Sequence, residues 1–564
     1  MGSFCNAFFK SLVQSHYRLR LKGKIAIMVY SAHLDSFTRD NLPPQNEWPD
    51  FNLSGSEFQY PEKLNAAVEL TDTMVKKGYG NHVALIGHGR SRTYKELTDW
   101  SNRIANVLVD DFGIKPGNRV LIRSMNNPAM VAAWLAVTKT GAVAVNTMPM
   151  LRAGELTKVV DKAEIQLALS DKRIREELDI CAKSSQFLKD VICFDGELGH
   201  DGDLDKLALS KPVTFKAVET GRDDVALLGF TSGTTGSPKA TMHFHRDLLI
   251  IADGYAKEVL GVTDHDVFIG SPPLAFTFGL GGLAIFPLRF GAAAVLLEDA
   301  SPINLIKYIE TYSATICFTS PTAYKVMLAQ DEFAAHLTSL RIAVSAGETL
   351  SPSTYKAWNE TMSAPILDGI GATEMLHVFI SNRLGKSRAG ATGTCVTGYS
   401  AKIVNDNFEE VPRGTVGALV VKGPTGCRYM ADNRQKKYVV NGWNVTGDAF
   451  SQDEEGYFHF AARADDMILS SGYNISGPEV EEAILTHVSV AECAVIGAKD
   501  AERGQIVQAH IVLRSDQEAS PTLSRDIQTH VKNTIAPYKY PRSIVFVDSL
   551  PKTKSGKIQR YKLK

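Results

Sequence analysis

The chain has 564 residues, 44% hydrophobic and 22% charged, with a formal net charge of −1. That length holds roughly three to four domain-equivalents of ~150 residues, so a large core is assured. The near-neutral balance, with no basic stripe interleaved with aromatics, excludes an electrostatically driven nucleic-acid binder.

In chain order, residues 1–34 come first. They carry Lys10, Arg18, Arg20, Lys22 and Lys24, several serines, and no acid before Asp35. An acid-free, basic, hydroxyl-bearing start reads as a mitochondrial transit peptide; Met28 as the working start is the other reading. The first implies the mitochondrial matrix and the second the cytoplasm. Seven scattered cysteines (Cys5, Cys181, Cys193, Cys317, Cys395, Cys427, Cys493), with no CxxC or Cys/His cluster, fit a reducing compartment and no structural zinc. The longest apolar candidate, Gly282 to Leu297, is broken by Pro287 and Arg289 and falls short of the ~18 residues that span a bilayer.

From Pro61 onward, short apolar runs alternate with helical segments in the rhythm of βαβ units. Arg119–Arg123 predicts a strand, Pro128–Thr140 a buried helix, and Ala142–Val145 the next strand. Ala226–Phe230, Ala314–Phe318 and Arg341–Val344 repeat the strand signal. This predicts a large N-terminal α/β body. After Arg463 the character changes. Pro478–His487 starts like a helix, with proline in its first turn and acids behind it. Strands are expected at Val490–Gly497, Ile506–Leu513 and Ser543–Val547, around a helix from Pro521 to Ile535. The division expected is an extension over 1–60, an α/β body over 61–464, and a small α+β domain over 465–564.

Five motifs carry chemistry. Thr231-Ser232-Gly233-Thr234-Thr235-Gly236-Ser237-Pro238-Lys239 combines hydroxyls, glycines and a cation, the means to wrap a polyphosphate. Ser237-Pro238 before the lysine and Ala240 after it depart from the Walker A pattern. The loop follows an expected strand, where open α/β sheets bind ligands. Asp368-Gly-Ile-Gly-Ala-Thr-Glu374 sets a carboxylate, suited to Mg²⁺, behind two glycines; on its own it is equally a turn and helix start. Trp443 to Asp448 places an acid after a glycine turn, where it can accept from a ribose diol. Arg463 to Ile468 with Ser471 to Pro478 sits at the expected junction, where a solvated linker is the plainer reading. Pro551 to Arg560 is a basic run with Lys557 after a Ser-Gly pair, readable as a solvated tail or as a lysine delivered into a site formed elsewhere.

With all five present in this order, the chain resembles the adenylate-forming superfamily of acyl-CoA synthetases, adenylation domains and luciferases. The resemblance runs from about Pro61 to the C-terminus. It implies that a carboxylate and ATP give an acyl-adenylate and pyrophosphate, after which a thiol displaces AMP, with Mg²⁺ and coenzyme A required. It further implies that Thr231 to Gly236 and Lys239 hold the β/γ-phosphates, Thr373 and Glu374 the α-phosphate and metal, Gly347 and Glu348 the adenine edge, and Asp448 and Arg463 the ribose. Lys557 would bridge the carboxylate and α-phosphate, Asp465 would be the hinge of a mobile C-terminal domain, and Gly472 would face the thiol.

Ile370, where the family usually has Tyr, and Ala240, where it usually has Gly, look like the benzoate and 2-aminobenzoate CoA ligase branch. So do Met242 to His245, Ser271 to Gly279 and Glu374 to His377. An aryl slot is expected from Phe276, Phe278, Gly279, Gly281, Gly369, Gly371 and His377, the glycines opening room and the rings stacking on the substrate; core packing by the phenylalanines is the alternative. His243 and His245 lack metal-site spacing and are expected to pack or cap. The expected partners are an aryl carboxylate, ATP and CoA, without nucleic acid or membrane; the oligomeric state stays open, a homodimer among the options. A medium-chain acyl-CoA synthetase, an enzyme loading a carrier protein, and an inactive nucleotide-binding protein are the alternatives. An end shortly after Lys557, and retention of Lys239, Glu374, Asp448 and Lys557, favour an active ligase using free CoA.

Overall fold

Strands 119–123, 143–147 and 167–171 are buried at every position, the mark of parallel strands covered on both faces. In the computed structural model, which describes residues 16–21, 24–196, 201–231, 238–463, 467–470, 473–500, 504–515, 517–535, 537–552 and 558–563, they form the centre of a six-stranded sheet. Its order is 239–244, 225–231, 143–147, 119–123, 167–171, 190–194, parallel except for the first strand. A nine-stranded sheet runs 394–395, 378–381, 366–371, 342–345, 316–319, 267–270, 293–295, 83–87, 90–93, with six parallel strands inside antiparallel edges.

Helix Pro128–Lys139 is buried along its whole length, as its apolar run from Pro128 to Val137 requires. Asn127 caps it by accepting from Met130 N at 3.0 Å, and Pro128 occupies its first turn. The one charge, Lys139, is fully enclosed and pairs with Asp72 at 2.8 Å. Two π-helical segments, Ala252–Ala256 and Gly281–Ile285, bring Tyr255 within 6.0 Å of Phe286. Among the described residues no helix is long and apolar enough to cross a membrane.

The chain divides into two compact units, residues 1–401 with 421–444, and residues 402–420 with 445–564. These units are set by packing rather than by the change of sequence character at 464/465. The reason is local: ribbon 445–463 is hydrogen-bonded to 402–420, through Thr446 Oγ1 donating to Leu419 O (3.0 Å) and Gly414 N to Gln452 O (2.8 Å).

In the second unit, strands 473–476, 467–470, 504–513 and 490–500 form a sheet, with 543–546 added in parallel to 504–513. Helices Gly477–Leu485 and Pro521–Thr534 cover it with Val480, Ile484, Ile527 and Val531. Within the stretch open to a linker reading, strands 467–470 and 473–476 pair antiparallel, with Ser470 opposite Tyr473.

Candidate active site

The antiparallel pairing of 225–231 with 239–244 puts Thr231 opposite Lys239, so the two ends of the phosphate loop are held side by side. Ser232, Gly233, Thr234, Thr235 and Gly236 lie outside the described residues. Along 239–244, Ala240, Met242 and Phe244 enter the core, leaving Lys239, Thr241 and His243 on the other face. Segment 427–430 lies antiparallel to this strand, Met242 N donating to Arg428 O and Met430 N to Ala240 O. Thr241 therefore faces Tyr429, and the phenol reaches Lys239.

Lys239 Nζ donates to Tyr429 Oη at 2.9 Å and lies 3.5 Å from Glu374 Oε1. The Tyr429 hydroxyl in turn donates to that same Glu374 oxygen. Burial, then the neighbouring Glu374 charge, pushes the Tyr429 phenol well above its ordinary range, so it stays a donor. Behind this face Arg428 is fully enclosed, paired with Asp247 and lying 3.8 Å from the Phe244 ring centroid. That pairing anchors the strand carrying Tyr429.

Glu374 sits in a short 3-10 turn, 373–375, directly after strand 366–371. Leu376 closes it at φ +70°, a strained conformation for a side-chain-bearing residue. Thr425 Oγ1 donates to Met375 O at 2.7 Å and holds the turn. Gly229 lets it approach the hairpin: a Cβ there would lie 2.8 Å from Thr373 Cγ2.

Gly347 and Glu348 follow the neighbouring strand 342–345, also at its C-terminal end. Gly347 turns at φ +88°, and exposed Glu348 accepts from Thr322 Oγ1 at 2.6 Å. Beneath them, burial raises the Asp368 carboxyl to about 8 despite the Ser345 hydroxyl donating to Oδ1 at 2.9 Å.

The expected aryl slot divides into two groups. Phe276 is 47% exposed and lines a cleft of about 350 Å³ with Thr231, Pro238, Asn146, Met148 and Leu151. Phe278 instead packs 5.5 Å from His377, in a cluster with Tyr255, Phe286 and Phe318. The Phe278 carbonyl can only accept, so His377 Nε2 carries a proton and donates to it at 3.3 Å. Burial lowers the His377 imidazole to about 3 and keeps it neutral. The expected opening of room by Gly279 and Gly281 takes a different form. A Cβ at Gly279 would meet Pro273 O at 2.2 Å, and one at Gly281 would meet the His377 ring at 2.4 Å, so these glycines admit the chain's own atoms. Gly371 is exposed; its Cβ would meet His377 O at 2.8 Å. A Cβ at Gly369 would meet Val378 Cγ1 at 3.0 Å.

His243 and His245 are fully buried and lowered to about 3; Ala66 N donates to His245 Nδ1 at 3.2 Å, a capping role. In the second unit, Asp448 and Arg463 are direct cross-strand partners, and Asp448 N donates to Thr446 Oγ1 at 3.2 Å. Asp465, Gly472 and Lys557 lie outside the described residues.

Two residues escaped the sequence reading. Tyr429 lies in an unremarkable stretch, and only the register against 239–244 reveals it. Lys162 donates to Pro238 O at 3.0 Å, at the exit of the phosphate loop; its helix position alone reads as surface charge. For Mg²⁺, no three His, Cys, Asp or Glu side chains converge among the described residues. A single carboxylate, Glu374, suits a metal carried mainly by nucleotide phosphates.

Residues 73–429 match the model of the AMP-binding enzyme family, and 479–557 that of the AMP-binding enzyme C-terminal domain. The chain is 34% identical to the benzoate–CoA ligase of Thauera aromatica, over 91% of this chain and 98% of the relative. Its fold is similar to a crystal structure of the anthranilate CoA ligase AuaEII with anthranoyl-AMP (TM-score 0.82, 33% identity, 90% and 98% covered). It is also similar to a benzoate CoA ligase from Burkholderia xenovorans LB400 (TM-score 0.78, 31%, 88% and 99%). The site is thus built on a framework shared along nearly the whole length of these proteins, and the chain belongs to the AMP-binding enzyme family.

Proposed function

We propose that this protein is an AMP-forming ligase that joins an aryl carboxylate, benzoate or a 2-substituted benzoate such as 2-aminobenzoate, to coenzyme A. The aryl carboxylate oxygen attacks the α-phosphorus of ATP; that O–P bond forms as the α–β bridge breaks and pyrophosphate leaves. The CoA sulfur then attacks the acyl carbon, a C–S bond forms, and AMP leaves with the electron pair of the broken C–O bond.

The observation that carries this reading is the convergence of Lys239, Tyr429 and Glu374 at the two ends of the phosphate loop. Two anions must meet in the first step, so preorganised cations and donors supply most of the catalysis. In this reading the Thr231–Gly236 loop and Lys239 hold the β/γ-phosphates, and Thr373 orients the α-phosphate. Glu374, with the nucleotide phosphates, would hold magnesium, which would supply neutralisation of the phosphate charge. Gly347 and Glu348 border the adenine, Asp448 and Arg463 hold the ribose, and Lys557 bridges carboxylate and α-phosphate. Asp465 is the hinge, Gly472 faces CoA, and Phe276, Phe278, Gly279, Gly371 and His377 shape the acyl site. The likeness to benzoate and anthranilate ligases supports the aryl substrate. Dependence on ATP and CoA supports a cytoplasmic location, or the mitochondrial matrix if residues 1–34 direct it there.

Pyrophosphate release against benzoate, 2-aminobenzoate, 3-hydroxybenzoate and medium-chain fatty acids, with and without CoA, tests the reading. Turnover of an aryl acid with CoA-dependent AMP release is expected. Turnover of fatty acids alone would overturn the aryl assignment, and adenylate formation without thioester would overturn CoA as acceptor.

A further inference from the structure

Lys239 and Tyr429 meet although 190 residues separate them, and a single ammonium group joins the two segments they come from. Lys162 is the last but one residue of helix Ala153–Ala163. Its Nζ donates to Pro238 O at 3.0 Å and to Asp432 Oδ2 at 3.2 Å. The Lys162 side chain is 22% exposed and that of Asp432 9%, so the pair is screened by solvent far less than an exposed surface pair. Every residue of this bridge belongs to the first unit.

Each end of the bridge lies next to a site residue. Pro238 is one planar peptide link from Lys239, so holding its carbonyl fixes the plane from which Lys239 continues; the proline ring already fixes φ. Strand pairing holds the other side, with Lys239 opposite Thr231. At the far end Asp432 is itself clamped: Oδ1 accepts from Arg434 N at 3.0 Å and Nε at 2.8 Å, and Oδ2 from Nη2 at 2.5 Å. These Arg434 bonds hold the carboxyl well below the usual carboxylate range, so it stays charged. Gln435 N donates to Asp432 O at 3.0 Å, and the buried Gln435 amide oxygen accepts from Tyr429 N at 2.9 Å. Asp432 thus stands in the turn that comes back to the Tyr429 backbone.

The plain role for a lysine in the last turn of a helix is that of a favourable surface cation. That role needs neither a proline carbonyl nor a carboxylate clamped on another segment. We propose that Lys162 is a positioning residue for the first half-reaction: by joining Pro238 to Asp432 it sets the spacing between the segments that carry Lys239 and Tyr429. This rests on the role given above to Lys239 at the β/γ-phosphates. Lys162 acts through those two side chains and not on the substrate. Because reactivity falls steeply with misplacement, a shift of about 1 Å costs up to about a hundredfold in rate. The second half-reaction starts after pyrophosphate has left, so it does not use this spacing.

The test separates the half-reactions in the full-length enzyme, with whichever of benzoate and 2-aminobenzoate turns over. Lys162→Met is expected to lower kcat for pyrophosphate release by about ten- to a hundredfold, with KM for ATP and aryl acid within about twofold. Thioester formation from pre-formed aryl-adenylate and CoA should stay within about twofold, and Tm within about 4 °C. Asp432→Asn, which leaves Lys162 able to reach Pro238 O, should show the same pattern at smaller size, and it decides the matter if Lys162→Met does not fold. Adding Tyr429→Phe to Lys162→Met should cost less than the product of the single losses, because both act on one contact. Full adenylation by Lys162→Met, or losses that simply multiply in the double variant, would overturn the proposal. So would a raised KM for ATP at unchanged kcat, the mark of a direct phosphate ligand, or equal loss in both half-reactions with a fall in Tm, the mark of a structural cation. Lys239→Met is run alongside: normal adenylation there removes the role of Lys239 and the proposal with it, whereas loss in Lys239→Met without loss in Lys162→Met overturns the proposal alone.

Discussion

Tyr429 shows how one hydroxyl can organise two opposite charges. It accepts from Lys239 and donates to Glu374, so the cation and the carboxylate, 3.5 Å apart, stay oriented toward one another. Hydrogen bonds to charged groups contribute about 1.5–3 kcal/mol. Tyr429→Phe is therefore predicted to slow pyrophosphate release by about ten- to a hundredfold at saturating ATP, leaving the KM for the aryl acid nearly unchanged. An unaltered kcat would remove Tyr429 from the site. Lys239 and Glu374 were readable because each lies in a dense motif. Tyr429 was not, since its partners are 190 and 55 residues away along the chain.

The segment from Thr277 to Phe290 illustrates how an element can borrow space that a sequence assigns to a ligand. Helix Thr277–Leu280 runs directly into the π segment Gly281–Ile285, and its glycines press against backbone and rings. A Cβ at Gly279 would fall 2.2 Å from Pro273 O and 2.5 Å from Pro272 O, atoms that cannot rotate away. At Gly282 it would fall 2.7 Å from the Phe318 ring. Gly279→Ala is predicted to destabilise the first unit by about 1–3 kcal/mol and to weaken use of ATP and aryl acid together. Tm and KM values check this; a rise in KM for the aryl acid alone, at unchanged Tm, would mark Gly279 as a direct wall of the acyl site rather than a residue that shapes it through packing.

Across the first unit, buried imidazoles and one buried carboxyl set opposing pH dependences. His243, His245 and His377 stay neutral down to about 3, while unfolded imidazoles take up protons below about 6.5, so each withdraws stability as pH falls from there. Asp368 keeps its proton up to about 8, while an unfolded carboxyl loses it near 4, so it withdraws stability as pH rises between those values. Below about 6.5 these imidazoles, with buried His33 lowered in the same way, outweigh the single carboxyl, so stability falls as pH falls; above it Asp368 draws stability down as pH rises. Maximum stability of this unit is predicted near pH 6.5. Asp368→Asn should flatten the decline between about pH 6.5 and 8 and steepen the acid side, read as Tm against pH. An unchanged alkaline slope would show that Asp368 is ionised in the folded protein.

Local order and chemistry were determined by the sequence itself. Strands such as 119–123 and the buried helix 128–139 follow from runs of neighbours, and the candidate motifs Thr231–Lys239 and Asp368–Glu374 are legible because their residues lie within a few positions of one another. Short-range sterics and hydrogen bonding decide such features, and they are written contiguously. What only the tertiary structure decided depends on register between distant segments. Cross-strand pairing put Asp448 opposite Arg463, brought 427–430 onto 239–244 and grouped 445–463 with 402–420. Shifting a strand by one residue turns every side chain to the other face, so such partners are chosen by packing and cannot be read from either strand alone.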